Sequence, residues 1–336
     1  MITNARVLQD EFVPRDIVHR NAEMNLLSSA LEPLLDDQPA RNAFLFGPTG
    51  VGKTVTTRFT LRQLQEERFV EVTEVNCWRT HTQFGVLYSI LDELGQTVDI
   101  HRQSTPQDEL LRRLEATAPD PFIVVLDEVD QLDDPGLLYD LHAIPGVTLV
   151  LISNREEELF SRLDDRVNSR LKTGPRIQFD RYHQAELVAI LQDRADQGLQ
   201  PRAVSEDCLA RIADAAAGDA RVAIGILREA ARLADERNER RLTPALVEDA
   251  EPKARSSIHR SVIARLTDHQ RLLYEIVQEA GTIRPPELYE TYRDRVTGTP
   301  KSERTVRNYL QKLAHYKLVR IEGETRGRRY TSRQGV

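Results

Sequence analysis

The octapeptide GPTGVGKT, residues 47–54, follows the apolar run NAFLF and opens a stretch of helical periodicity. Glycines at 47, 50 and 52 let a backbone curl until its amide groups converge, and the helix behind them adds its dipole. That combination is a cradle for phosphate oxygens. Lys53 stands where an ammonium reaches the outer phosphates, and Thr54 offers a hydroxyl to Mg²⁺. The expected contacts run from Gly47, Pro48, Thr49 and Gly50 through Val51, Gly52, Lys53, Thr54 and Val55.

One α/β unit later, IVVLDEVD (123–130) is an apolar run ending in two acids. Asp127 is placed to hold Mg²⁺ from the second shell, and Glu128 to polarise an attacking water. VTLVLISN ends at Asn154, which either orients that water from the carboxyl edge of a sheet or caps the helix beginning REEELF. In LDDRVNSRL, Arg166 and Arg170 share a helix face. One of them reaches a neighbouring subunit's nucleotide, or both pair with Asp164 and Asp165. GDARVAIGIL (218–227) sets Arg221 at the start of an apolar helix, where the dipole disfavours a cation. Either Arg221 snorkels into water, or an anion lies nearby.

Positioning these groups requires particular elements. Runs at 42–47, 69–76, 122–127, 147–154 and 176–180 read as strands, with amphipathic helices such as TTRFTLRQLQEE and DELLRRLEAT between them. Continuously apolar strands alternating with helices predict a parallel sheet covered on both faces. From His183 the strands stop and four helical patterns follow, the last being TPALVEDAEPKA. ARSSIHRSV then leads to three helices and a Gly-turned hairpin, the order of a winged helix. The expected division is 1–181, 182–255 and 256–336.

Charge is split along the chain. Its net charge is −7, yet residues 255–336 hold 17 Lys and Arg against 9 Asp and Glu. An acidic body with a basic tail favours contact with a polyanion through one end. Within that tail, Lys301, Arg304, Arg307 and Asn308 fall at and just before the first turns of the third helix, where a recognition helix meets the major groove. Arg326, Arg328 and Arg329 decorate the hairpin, suited to phosphate or minor-groove contact. Cys77 and Cys208 are too few for a disulfide framework or a metal cluster. No signal-like or membrane-length apolar run is present, so a cytoplasmic protein is expected.

The order FVPRDIVHR, FGPTGVGKT, VNC, VLDEVD, LLYDL, LISN, LDDRVNSRL, FDRYHQAELVAILQDRA, GDARVAIGILREA is similar to that of the archaeal ORC-type replication initiators, AAA+ ATPases related to origin-recognition and cell-division-control loaders. The resemblance implies an α/β AAA+ P-loop core, a small helical lid and a C-terminal winged helix on double-stranded origin DNA. It implies ATP or ADP with Mg²⁺ as ligand, slow hydrolysis serving as a switch, and other initiator subunits and the replicative helicase as partners. It assigns Arg221 to the phosphates as a second sensor, Tyr182 and Arg194 to further nucleotide contacts, and Val13, Pro14 and Arg20 to the segment that wraps the adenine. Of the two finger candidates, Arg166 is the closer match. The segment WRTHTQFGVLYSILDELG stands where the family inserts a DNA-contacting helix and matches it less closely. Two other classes share these parts: an ATP-dependent winged-helix transcription regulator and a clamp-loader-like AAA+ subunit.

Overall fold

The computed structural model describes residues 1–101, 105–163, 171, 173–323 and 327–332. Strands β1 (Ala43–Phe46), β2 (Glu71–Asn76), β3 (Phe122–Asp127), β4 (Val147–Ser153) and β5 (Arg176–Gln178) pair in the order β2-β3-β4-β1-β5. Every pairing in this sheet is parallel. Alternation sends Phe44, Phe46, Val124, Leu126, Leu149 and Leu151 to one face. Ala43, Leu45, Ile123, Val125, Val150 and Ile152 go to the other. Both faces are dry, which is why the strands read as unbroken apolar runs.

Helices α1 (Asn21–Leu31) and α2 (Lys53–Glu67) cover the second face through Leu27, Leu31, Leu61 and Leu64. Helices α3 (Gln83–Glu93) and α4 (Gln107–Thr117) cover the first. The segment that matches the family less closely is largely α3. Its Val86, Leu87, Ile90 and Leu91 are fully buried, so one of its faces belongs to the core. Short helices α5 (Leu137–Ala143) and α6 (Glu156–Phe160) flank β4 in sequence. Because β3, β4 and β1 are neighbours, Asp127, Asn154 and the loop from Gly47 leave the sheet along one edge, where open α/β sheets bind ligands.

The lid follows as α7 (Gln184–Gly198), α8 (Glu206–Ala216) and α9 (Ala220–Glu236). Ser205 caps α8 by accepting from the Cys208 amide, and Asp219 caps α9 by accepting from the Val222 amide. Sheet and lid belong to one compact unit, Met1–Val247, and Glu248–Val336 forms a second. Helix α10 (Pro244–Ala264) spans 21 residues and runs through ARSSIHRSV, the stretch read as a link. It continues past Pro252, which has no N–H to give to the helical ladder. At the N-terminus the 3₁₀ turn Ala5–Leu8, within the expected 1–181 core, packs on α7 and α9 of the lid.

The second unit holds α11 (Asp268–Ala280), β6 (Thr282–Ile283), α12 (Pro285–Arg295), α13 (Glu303–His315), β7 (Val319–Glu322) and β8 (Arg329–Ser332). The expected hairpin gains a third strand, because β6 pairs antiparallel with β8. Three helices and a small antiparallel sheet is the element order expected of a winged helix. Thr267 and Gln270 form a reciprocal capping box on α11, and Ser302 caps α13.

Tyr292, wholly buried, accepts from the Lys301 amide at 3.1 Å and lies 2.8 Å from His269 Nδ1. A neutral imidazole can accept the Tyr292 proton there. Desolvation, followed by the Lys301 charge, holds His269 below its ordinary 6.5, with Asp268 pulling the other way. A base whose folded pKa is depressed costs nothing above its unfolded pKa, destabilises as pH falls from there towards the folded value, and costs the full amount below it. The melting temperature of this unit is therefore expected to drop below pH 6.5. His269→Asn, which keeps an acceptor, should flatten that drop in a thermal melt series. An unchanged pH profile in the variant would contradict the assignment.

Candidate nucleotide-binding site

Gly47, Gly50 and Gly52 all take positive φ, at 148°, 76° and 94°. At Gly47 a Cβ would stand 2.2 Å from the Phe179 carbonyl oxygen, because β5 runs directly beside the loop. Gly47→Ala is accordingly expected to destabilise the protein by about 2–4 kcal/mol in urea unfolding. A loss within noise would show that β5 can yield.

Lys53 is buried, and its Nζ donates to the carbonyls of Gly47 (2.6 Å) and Pro48 (2.8 Å) and to Asn154 Oδ1 (3.4 Å). Burial pushes this ammonium down to about 8, against the pull of Asp127, Asp130 and Glu128. The charge of Arg221 presses in the same direction as burial. A buried cation held by neutral oxygens is prepared for an anion.

Thr54 Oγ1 donates to Asp127 Oδ2 at 2.9 Å, and Asp127 Oδ1 accepts from the Glu128 amide at 2.9 Å. A hydroxyl beside a carboxylate is the oxygen donor set that Mg²⁺ prefers. Burial is the main force raising the Asp127 carboxyl above its usual range, opposed by the Thr54 hydrogen bond. Glu128 sits at φ 56°, ψ 43°, a left-handed conformation unusual for glutamate and often found at functional positions. Asn154 does not cap α6, whose N-cap is Arg155. Its amide oxygen faces Lys53 instead.

The lid closes on the loop from the side. The Ala220 amide donates to the Gly50 carbonyl at 2.9 Å, and a Cβ on Gly50 would meet Asp219 Oδ1 at 1.9 Å. The Tyr182 amide donates to Gly218 at 3.2 Å, and the Tyr182 hydroxyl lies 2.5 Å from where a Gly52 Cβ would stand. Burial raises the Tyr182 phenol, with Arg20 opposing. Arg20 is buried behind the loop and donates to the Val51 and Asp180 carbonyls. Its guanidinium lies 4.1 Å from the Tyr182 ring centre. Val13 is half-buried and Pro14 buried, the latter with its carbonyl accepting from Arg62.

Arg194 departs from the expected cleft-facing position. Helix α7 carries it to the N-terminal segment, where it donates to the Val7 and Phe12 carbonyls. Arg166 and Arg170 lie outside the described residues, as does Arg326.

Sequence reasoning passed over three groups. Asp130, within the quoted VLDEVD, is buried and accepts from Ser153 Oγ at 3.0 Å, tying the turn after Glu128 to β4. Arg162 donates to the carbonyls of Asp130, Leu132 and Asp133, bracing the same turn from the far side, with no motif to announce it. Arg58 clasps Glu74 through two hydrogen bonds, 2.7 and 2.6 Å, beside Asp127.

In the second unit, Lys301, Arg304, Arg307 and Asn308 are exposed. Positions 304, 307 and 308 are one helical face of α13, opposite the buried Val306, Leu310 and Leu313. Arg329 is exposed on β8 and Arg328 is half-buried beside it.

Residues 16–145 match the AAA ATPase domain, and residues 188–252 match the Cdc6 AAA+ ATPase-type lid domain. ORC1-type DNA replication protein 9 of Halobacterium salinarum is 47% identical over 332 residues, covering 98% of this chain and 94% of the relative. ORC1-type DNA replication protein 1 of the same organism is 50% identical over 309 residues, covering 92% and 100%. The chain belongs to the ORC1-type DNA replication proteins.

The fold agrees with that family. The solved structure of the Aeropyrum pernix ORC1 protein in complex with DNA aligns with a TM-score of 0.77 at 27% identity, covering 99% of this chain and 94% of that one. Membership in an AAA+ ATPase family implies nucleotide binding. Among the described residues of this ORC1-type chain, no helix is long and apolar enough to cross a membrane. No group of three or more His, Cys, Asp or Glu that could hold a metal occurs among them either.

Proposed function

We propose that this chain is an ATP-switched cytoplasmic initiator that binds double-stranded origin DNA through its winged helix and helps recruit or load the replicative helicase. In this reading residues 1–181 are the nucleotide-binding core, 182–255 the lid and 256–336 the DNA-binding domain. The observation that carries it is the start of α9 seated on the phosphate loop, with the Ala220 amide bonded to the Gly50 carbonyl and Arg221 the next residue of that helix. The cation at that helix start is then explained, because the nearby anion is the ligand's triphosphate.

The loop amides from Gly47 to Thr54 and Lys53 hold ATP or ADP, and Val13, Pro14 and Tyr182 border the adenine side. Thr54 and Asp127 hold Mg²⁺, which neutralises phosphate charge when bound. Glu128 takes the proton of the attacking water, and Asn154 orients that water once Lys53 turns to the phosphates. Arg221 stabilises charge on the outer phosphate from the lid. A finger from Arg166 or Arg170 would act on a neighbouring initiator subunit's nucleotide.

On DNA, Lys301, Arg304, Arg307 and Asn308 meet the major groove, and Arg326, Arg328 and Arg329 meet phosphates or the minor groove. The chain's likeness to an ORC1 protein solved on DNA supports this assignment. Sequencing of DNA co-purified with the protein tests the reading. Enrichment at one intergenic repeat array, reduced by a Lys53 substitution, is the expected result. Scattered promoters would favour a transcription regulator, and no enrichment at all would favour a clamp-loader-like subunit.

A further inference from the structure

Residues 2–12 lie on the lid. The Thr3 and Asn4 amides donate to the Gly198 carbonyl at 2.9 and 3.2 Å, and Ile2 bridges to Leu199. Val7 and Leu8 are buried, and a Cβ on Gly198 would stand 3.2 Å from the Leu8 side chain. Arg194, only 5% exposed, donates to the Val7 carbonyl at 2.8 Å and the Phe12 carbonyl at 3.1 Å. Its guanidinium lies 4.7 Å from the centre of the Phe12 ring. Arg228 of α9 adds a contact to the Leu8 carbonyl at 3.3 Å.

Residues 14–20 are held by the core instead. Pro14 accepts from Arg62 at 2.9 Å, and Arg20 donates to Val51 at 3.2 Å and Asp180 at 2.7 Å. The chain therefore crosses from lid to core at Val13, between Phe12 and Pro14. Its other crossing, near Asp180 to Tyr182, borders the same phosphate loop. Any hinge movement of the lid must be taken up at both places.

We propose that residues 2–12 form a strap that moves with the lid, and that Arg194 is the positioning residue fixing it there. Through the strap, Arg194 sets the placement of Val13 and Pro14 on the adenine side of the cleft. A guanidinium suits this task because its planar fork spans two carbonyls at once, while its charge is offset by the carbonyl dipoles and the Phe12 ring. The ligand half of the inference rests on the nucleotide reading above; the strap half does not.

The test uses the full-length chain and two readouts. In hydrogen exchange without nucleotide, Arg194→Met should strip protection from the amides of residues 3–8. In fluorescence titrations the same variant should weaken adenosine, ADP and ATP alike, by about tenfold, the scale of one charge-assisted hydrogen bond. The loss of affinity should exceed any change in the rate at which bound ATP is hydrolysed. Gly198→Val, which drives a side chain into Leu8 while leaving Arg194 in place, should weaken binding similarly, and the double variant should be no worse than either single one.

A penalty growing with the number of phosphates would mean direct contact between Arg194 and the nucleotide, and would overturn the proposal. So would additive losses, or unchanged exchange at residues 3–8. If Arg194→Met fails to fold, Arg194→Lys, which keeps the charge but spans only one carbonyl, should give a smaller shift of the same kind. A wild-type protein that binds no nucleotide would sink the nucleotide reading, while the exchange experiment would still decide the strap.

Discussion

Lys53→Met is expected to weaken ATP binding by roughly a hundredfold or more while leaving the unliganded protein at least as stable as wild type. The two effects have one cause. Lys53 is desolvated among neutral oxygens, which brings its ammonium from 10.5 down to about 8. For a cation with a depressed folded pKa, the cost is fully present below the folded value and vanishes above the unfolded one. Near neutral pH that cost is about 3 kcal/mol. Methionine fills similar volume without the charge, so the cost disappears. Phosphate oxygens would repay it in the wild type by charge-assisted hydrogen bonds worth about 1.5–3 kcal/mol each. Calorimetric titration with ATP and urea unfolding of the unliganded protein check the two halves separately. Strong ATP binding by the variant would remove the phosphate loop from the account.

Arg304→Ala combined with Arg307→Ala should reduce affinity for the enriched duplex by roughly a hundredfold, with little change in thermal stability. Both side chains are exposed on the face of α13 that points away from its buried Val306 and Leu310, so neither contributes to the core. Surface changes of this kind shift stability by no more than about 0.5 kcal/mol. Each arginine reading a base or a phosphate contributes about 1–3 kcal/mol of binding. The slope of log affinity against log salt should shrink by about one for each lost phosphate contact. Fluorescence anisotropy across a salt series measures both quantities. Unchanged affinity would place the DNA face elsewhere.

Legibility in the sequence followed the range of the interactions. The phosphate loop, the strand ends at Asp127 and Ser153 and the helix start in GDAR are local patterns, and each stands within a residue or so of where the residues predict it. Helix α10 ran on past the predicted TPALVEDAEPKA pattern through ARSSIHRSV, a stretch with no glycine or proline to end it. The hydrogen-bond partners of Arg194 were not legible. Helical spacing fixes which side of α7 it leaves from, but its partner Val7 is 187 residues away in the chain. Arg162 was invisible for the same reason, since its partners are the carbonyls of a turn about thirty residues earlier. The third wing strand, β6, is two residues long and carries too little pattern to register.

The most direct test of the central claim, that a nucleotide is gripped between the phosphate loop and an arginine brought by the lid, is single-turnover hydrolysis by Arg221→Ala. With Mg²⁺ and ATP at saturation, the variant should bind within about tenfold of wild type, because the loop and Lys53 remain. Its rate of hydrolysis should fall by about a hundredfold or more, the usual cost of losing one donor to developing charge. A variant that binds and hydrolyses ATP like the wild type would contradict the account.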